Sequence, residues 1–314
     1  MQKLVVAGLV SLALVGCGSD SSGSNSNTGT FNLAFSDAPV DDLTKVCVAF
    51  DQISVKHTNG SESSWGTTSF AADESSEECI PDGMLIPEDA DGNPEFMVIN
   101  LMAYQGENSL QVLSDELMQA GKYNQMRLSV LEKGSYSDGT PYSHVVTDTN
   151  DTQGIRVPSG ELKLDGFEVT AEATQRYTLE FDLRKSMVEN ANGYQLKPRG
   201  VRLVNNEDVA TISGAVLEES EACGGVIEDA FVYVYNAPTD THGDLASEFE
   251  PYTSAAVDPV SREFEIGYVP LDNYNIALIC NGSEDDPEKA GDYLDIYSVV
   301  EDEPLPALGM TIYF

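Results

Sequence analysis

Asp89, Asp91, Asn93 and Glu95 put an oxygen-bearing side chain at every second position of the run Asp89-Ala90-Asp91-Gly92-Asn93-Pro94-Glu95-Phe96. Such spacing suits a hard cation, calcium first, because its flexible shell is built from many oxygens. Glu284-Asp285-Asp286 and Asp37 with Asp41-Asp42 are weaker candidates for the same chemistry, since acidic clusters are usually solvated faces. A second chemistry is stacking. Phe231, Tyr233 and Tyr235 alternate with Val232 and Val234; with the valines in the core, the rings form an outward strip for an envelope protein or a glycan. The competing reading is cross-strand packing beneath a loop. It is favoured, because aromatic strips are seldom left uncovered without a partner. Trp65, the sole Trp, is either a contact residue or the plug of its own loop. Catalytic groupings are thin. His57, His144 and His242 lie far apart, and no Gly-x-Ser-x-Gly, His-Glu-x-x-His or phosphate loop occurs. A carboxylate pair for glycoside hydrolysis is assembled in space, and among 53 acidic residues the sequence singles out no two.

The run at Asp89 resembles the opening of an EF-hand-type calcium loop, which needs a sharp-turn Gly at its sixth position and a bidentate Glu at its twelfth. Those positions hold Pro94 and Asn100, which favours an acidic surface turn.

The N-terminus indicates where this chemistry is carried. Met1-Gln2-Lys3 is a short basic head, Leu4–Leu14 is apolar, and small residues follow, the pattern of a secretory signal over residues 1–16. The apolar run is too short to span a bilayer, which takes about 20 residues. Leu14-Val15-Gly16-Cys17 resembles the lipobox of bacterial lipoproteins. The resemblance implies that Cys17 is acylated with fatty chains such as palmitate and becomes the mature N-terminus. Each buried CH₂ then contributes about 0.8 kcal/mol, so the lipid bilayer is the expected partner through Cys17. Gly18, in place of Asp, implies export to the outer membrane in a Gram-negative host, with the face left open. Residues 17–30, rich in Gly, Ser and Asn, form a flexible tether.

With 53 acidic against 16 basic residues and a net charge of −37, the body repels phosphate backbones, so no nucleic acid is expected as partner. It also repels anionic headgroups. The plain reading of the charge is solubility or a salty habitat; the functional one is attraction of divalent cations or cationic partners. Four cysteines remain after Cys17, in an oxidising compartment, and three pairings are open to them. Cys47–Cys79 and Cys223–Cys280 are expected because each bridge then lies within one body, and each would contribute about 3–4 kcal/mol by restricting the unfolded chain. No Cys-x-x-Cys occurs, so zinc is not expected, and no cofactor beyond calcium is suggested.

The elements that must position these groups read as strands. Phe31, Leu33 and Phe35 alternate on one face. Val46–Val55 alternates too, but Ile53 and Val55 fall out of phase unless a bulge sits near Asp51-Gln52. Residues 57–95 read as a long polar excursion held by Cys79. Phe96–Leu101 is apolar. Leu110, Leu113 and Leu117 recur at helical spacing and predict a short helix over Leu110–Met118. Gln125–Leu131, Ile155–Val157, Glu161–Val169, Tyr177–Leu183 and Tyr194–Val204 complete a first body over residues 31–207. Ala210–Val216, Ile227–Tyr235, Phe264–Pro270, Tyr274–Ile279 and Met310–Phe314 make a second over 208–314. Many short strands with Gly-rich turns predict an all-β chain of two β-sandwich domains.

Two resemblances sharpen this. The runs Phe31-Asn32-Leu33-Ala34-Phe35-Ser36-Asp37-Ala38-Pro39, Ala120-Gly121-Lys122-Tyr123, Val157-Pro158-Ser159-Gly160, Phe181-Asp182-Leu183-Arg184-Lys185-Ser186 and Leu196-Lys197-Pro198-Arg199 resemble, in order, an uncharacterised family of bacterial lipoprotein ectodomains known as a domain of unknown function. It covers residues 31–205 and implies an extracytoplasmic β-sandwich with no established catalytic residues. The strands of the second body resemble the carboxypeptidase regulatory-like, transthyretin-like sandwich, a fold that implies an accessory module and no particular activity. The expected protein is a lipid-anchored envelope binding or scaffolding module without catalysis. The alternatives are a calcium-dependent or glycan-binding adhesive surface protein and an envelope enzyme with a carboxylate-based site.

Overall fold

The computed structural model describes residues 27–38, 43–70, 75–191 and 193–314. They fold into β bodies throughout, the expected class. In the first body β1 (Thr28–Ala38), β2 (Leu43–His57), β3 (Glu62–Gly66) and β4 (Met97–Asn100) come first. β5 (Leu110–Gln119), β6 (Gly121–Val130), β7 (His144–Thr147) and β8 (Thr152–Arg156) follow. β9 (Glu161–Leu164), β10 (Phe167–Val169) and β11 (Thr174–Asp182) lead into the single turn α1 (Leu183–Ser186). β12 (Met187–Asn190), β13 (Gly193–Leu196) and β14 (Val201–Asn205) close the body.

A four-stranded sheet, β14-β11-β1-β5, packs on a larger one running β10-β6-β2-β7-β8-β13-β12, to which β3, β4 and β9 are added. The core between them joins Phe31, Leu33 and Phe35 of β1 and Leu179 and Phe181 of β11 to Phe50, Ile53 and Leu128 of the facing sheet. Period-two alternation puts these residues on one face, and burying each contributes about 1.5–3 kcal/mol. The β2 register against β6 shifts between Phe50 and Gln52, which lets Phe50 and Ile53 share the buried face as the sequence pattern requires.

Three expectations are corrected. Leu110–Met118 is not helical: it is β5, antiparallel to β1, with register shifts on either side of Leu33 and a left-handed Asp115 at φ 54°. Those irregularities produce the three- and four-residue spacing of its leucines, and Leu117 is left exposed. The excursion after His57 contains β3, which pairs with β2 from Gln52↔Gly66 to Lys56↔Glu62. The stretch Tyr194–Val204 is two strands in different sheets, split at Pro198 and Gly200. Gly200 has φ 84°, and a Cβ there would stand 2.7 Å from Cβ of Lys185.

The second body contains β15 (Val209–Ala215), β16 (Phe231–Asn236), β17 (Thr253–Ala256), β18 (Glu263–Pro270), β19 (Asn273–Ile279), β20 (Ile296–Pro304) and β21 (Met310–Tyr313). They form a three-stranded sheet, β18-β15-β21, and a four-stranded one, β17-β16-β19-β20. Ile212, Phe264 and Ile266 from the first meet Val232, Val234, Ile276 and Leu278 from the second, the face-to-face packing of a β-sandwich. Disulfides join Cys47 to Cys79 and Cys223 to Cys280.

Candidate functional site

Leu179 and Phe181 fill the core, so alternation sends Thr178, Glu180 and Asp182 to the other face of β11. In a lone sandwich that face would meet water. Here Glu180 is 2% exposed and Asp182 0%, because the second body lies over it. The parallel pairing of β1 with β11 sets Ser36 beside Glu180 and Ala38 beside Asp182, and β14 sets Arg202 opposite Glu180. Asp37 is buried at the end of β1. Burial drives its carboxyl well above the usual range, and the charges of Glu180 and Asp182 push the same way. Burial drives Glu180 up to about 8 against the pull of the Arg202 guanidinium. Both Asp37 carboxylate oxygens, Glu180 Oε2, Asp182 Oδ2 and Ser186 Oγ find no hydrogen-bond partner among the described residues. Each such group costs about 1–3 kcal/mol, and a protonated, neutral carboxyl is the cheaper state to bury.

The opposing charge comes from the segment that follows. Asp182 caps α1, its Oδ1 accepting the Lys185 N–H at 3.3 Å. A helical turn rotates successive side chains by about 100° rather than 180°, so Arg184 and Lys185 both reach the second body. Arg184 donates to the Tyr233 hydroxyl at 3.0 Å and to the Gly282 carbonyl, and its guanidinium lies 3.8 Å over the Phe231 ring. Tyr233 donates onward to Asp285 Oδ2 at 2.7 Å. Lys185 donates to the Pro251 carbonyl and pairs with Glu250 at 3.5 Å. Burial pushes its ammonium pKa down. Arg199 binds Glu250 and the carbonyls of Leu245 and Pro287. Lys197 pairs with Glu288 at 2.7 Å, and Arg202 donates to the Tyr252 carbonyl at 3.1 Å. Charge-assisted bonds of this kind contribute about 1.5–3 kcal/mol each when buried. A further contact lies beyond the seam: Glu107 N–H donates to Glu265 Oε1 at 2.9 Å, and a Cβ on Gly267 would stand 1.9 Å from the Gly106 carbonyl oxygen.

The residues singled out from sequence are placed as follows. Phe231, Tyr233 and Tyr235 are not an exposed strip. They are buried with Leu245 and Ile279, covered by Arg184 from the first body and by the loop at Gly243, whose carbonyl takes the Tyr235 hydroxyl at 2.9 Å. Trp65 is buried, and its indole donates to Glu116 at 2.7 Å, which makes it the plug of its hairpin. The calcium set is not assembled. Asp89 Oδ1 accepts the N–H groups of Asp91 and Asn93, both at 2.9 Å, and the Asn93 bonds above all hold its carboxyl below the usual range. Asp91 and Glu95 are not gathered with it: among the described residues no three His, Cys, Asp or Glu side chains are grouped to hold a metal ion. Asp285 binds Tyr233 and the Leu245 N–H instead. Cys17 and Asp41-Asp42 lie outside the described residues. Asp37, named with Asp41-Asp42 as a weaker cation candidate, is buried, and Arg184, Lys185, Arg199, Arg202 and Glu180 were missed as a group. The signal for them was compositional: Arg184, Lys185, Lys197, Arg199 and Arg202 crowd five of 16 basic residues into one short segment.

Open concavities lie elsewhere. The outer face of the β18-β15-β21 sheet forms a groove of about 400 Å³ lined by Ser213, Ala215, Glu263, Glu265, Thr311 and Tyr313. Another, of about 410 Å³, runs past Asp89, Glu95, Lys133 and Tyr142. No helix among the described residues is long and apolar enough to cross a membrane.

Among solved structures, the minor pilin GBS52 of Streptococcus agalactiae is similar at 8% identity and a TM-score of 0.20, covering 90% of this chain and 94% of its own. The Bacillus anthracis TIE protein is similar at 9% identity and a TM-score of 0.19; the match covers 91% of this chain and only 33% of that protein. A fimbrial protein of Bacteroides ovatus matches at 7% identity and a TM-score of 0.18, over 91% of this chain and 48% of its own. Likenesses this weak carry no argument about activity. No curated protein matches the chain. Residues 28–198, which include β1, β11 and the cationic segment of α1, match the family described as Domain of unknown function (DUF4382), and as that match takes in more than half of its length the chain belongs to this family.

Proposed function

We propose that the chain is a lipid-anchored cell-envelope protein whose two β bodies act as one rigid, non-enzymatic binding module. The observation that carries this reading is the sealed junction. A catalytic site keeps its displaced titratable groups open to substrate, whereas Glu180 and Lys185 are closed between the two bodies and Asp37 is buried within the first. Five cations that could have met a ligand are consumed in holding the second body in place. The anchor rests on Leu14-Val15-Gly16-Cys17 and the polar tether behind it. We read the second body as an accessory sandwich of the carboxypeptidase regulatory-like kind, which its two facing sheets support.

The test is metabolic labelling. Expressed in full in a bacterium fed an alkyne-bearing fatty acid, the chain takes up label and sediments with membranes, and Cys17→Ala does neither. Unlabelled wild-type chain in the soluble fraction would overturn the anchor. Hydrolysis of a chromogenic glycoside panel that Glu180→Gln abolishes would overturn the absence of catalysis.

A further inference from the structure

Sheet edges invite pairing with other chains, and proteins guard them with charge, bulges, proline or a covering element. Most edges of this molecule are guarded. β5 carries Asp115 and Glu116, with Asp115 left-handed at φ 54°; β20 carries Glu301, Asp302 and Glu303 before Pro304, with Asp302 at φ 53°. β14 carries Arg202, β18 carries Glu263 and Glu265, and β17 is buried. Among the described residues β21 has none of these devices. It reads Met310-Thr311-Ile312-Tyr313, four uncharged residues at the rim of the three-stranded sheet.

Its backbone is oriented for pairing. β21 runs parallel to β15, and just past its end the Phe314 N–H donates to the Ala215 carbonyl at 3.1 Å. Alternation along a parallel strand then turns the N–H and C=O groups of Thr311 and Tyr313 toward the open edge. Both residues are exposed. The same two residues end two cross-strand rows, Glu265–Ser213–Thr311 and Glu263–Ala215–Tyr313. Small side chains on the central strand keep the floor of these rows low, which makes the groove of about 400 Å³. Asp258 completes its acidic wall, with the N–H groups of Val260 and Ser261 on its Oδ1 at 2.8 and 2.7 Å. Among the described residues no Lys or Arg lines it.

We propose that β21 is a docking edge, at which an extended basic segment of a partner protein adds as a fourth strand to this sheet. Main-chain hydrogen bonds to Thr311 and Tyr313 supply the pairing, and alternate side chains supply specificity. A strand added beside β21 prolongs each row by one residue, so Lys or Arg there lies next to the Tyr313 ring and reaches along the groove whose acidic wall is Glu263 and Asp258. This deepens the binding-module reading by naming the chemistry of its partner and rests on it.

The test is fluorescence anisotropy of the full-length chain with dye-labelled synthetic peptides. One alternates Arg with Val, a second replaces every Val by Pro so that it keeps the charge but cannot pair, and a third replaces every Arg by Glu. The Arg/Val peptide is expected to bind at least about ten-fold more tightly than either control. Thr311→Pro should weaken it about ten-fold with an unchanged melting temperature, since the lost N–H faces the edge and not β15. Glu263→Lys, an exposed change, should weaken it about three-fold through charge. Equal binding of the Arg/Val and Arg/Pro peptides would reduce the effect to net charge and overturn the proposal. So would undiminished binding by Thr311→Pro, or no binding by the wild-type chain. Fatty-acid labelling reads the anchor separately, so failure of the peptide removes the docking edge and leaves the anchored module standing.

Discussion

Thr178, Glu180 and Asp182 alternate along β11, and Ser213, Ala215, Glu263, Glu265, Thr311 and Tyr313 alternate along the strands of the β18-β15-β21 sheet. Both sets are polar faces of strands whose other face fills a core. The first is sealed beneath the second body, and the second stands open as a groove. The difference lies in the neighbouring segment and not in the strands themselves. β11 runs straight into α1, which throws Arg184 and Lys185 across to Tyr233 and Pro251. No cationic segment directly follows β15 or β18 to draw a lid over them. A polar strand face therefore takes its fate from the charge of what comes next in the chain.

The largest test of this contrast removes the bridge. Arg184→Ala deletes the donors to Tyr233 and Gly282 and the cation over the Phe231 ring, leaving the Asp285–Tyr233 pair buried without its positive partner. The expected loss is about 3 kcal/mol. Calorimetry should show one transition in the wild-type chain and two in the variant, as the bodies uncouple. A single transition at an unchanged midpoint would mean that the junction is held by packing alone.

Next in size is the ionisation of the sealed face. Glu180 is raised to about 8 in the folded chain from a reference of 4.5. Its folded pKa lies above its unfolded one, so the stability it contributes is complete below about 4.5 and is lost as pH rises through about 8. Asp37, raised as well, acts with the same sign. Melting temperature should therefore fall between pH 5 and pH 8. Glu180→Gln removes one ionisation and should flatten that slope, gaining about 2 kcal/mol over wild type at pH 8 and little at pH 5. A variant whose profile runs parallel to that of the wild type would place Glu180 in contact with water.

These particulars also show what could be read in advance. Phe31, Leu33, Phe35, Leu179 and Phe181 declared their strands because a core enforces period two, and the bulge at Asp51-Gln52 was legible because the phase of β2 breaks there. The cysteine pairing followed from dividing the chain into two bodies. β5 was misread because its leucines take a helical interval from bulges that only pairing with β1 reveals. The aromatic face of β16 was ambiguous, since Tyr233 looks the same in sequence whether a loop, a partner or another part of the chain covers it. The junction could not be assembled from spacing at all: Ser36 and Glu180 meet through a parallel pairing of distant strands, and Glu180 and Arg202 through an antiparallel one. Only the crowding of basic residues between Arg184 and Arg202 hinted at it.

The smallest expected effect sharpens the contrast most directly, because it repeats one chemical change on the open face. Glu263→Gln swaps the same carboxylate for the same amide as Glu180→Gln, on a side chain exposed in the groove beside Ala215 and Tyr313. Water solvates the charge in both folded and unfolded chains, so neither state gains from its removal. Stability should stay within about 0.5 kcal/mol of wild type at every pH, and the slope between pH 5 and pH 8 should be that of the parent. Urea melts of the two variants at pH 5 and pH 8 make the comparison. If Glu263→Gln also flattened the pH slope, the groove would be closed in solution, and the distinction between a face sealed by a cationic neighbour and a face left open would fail.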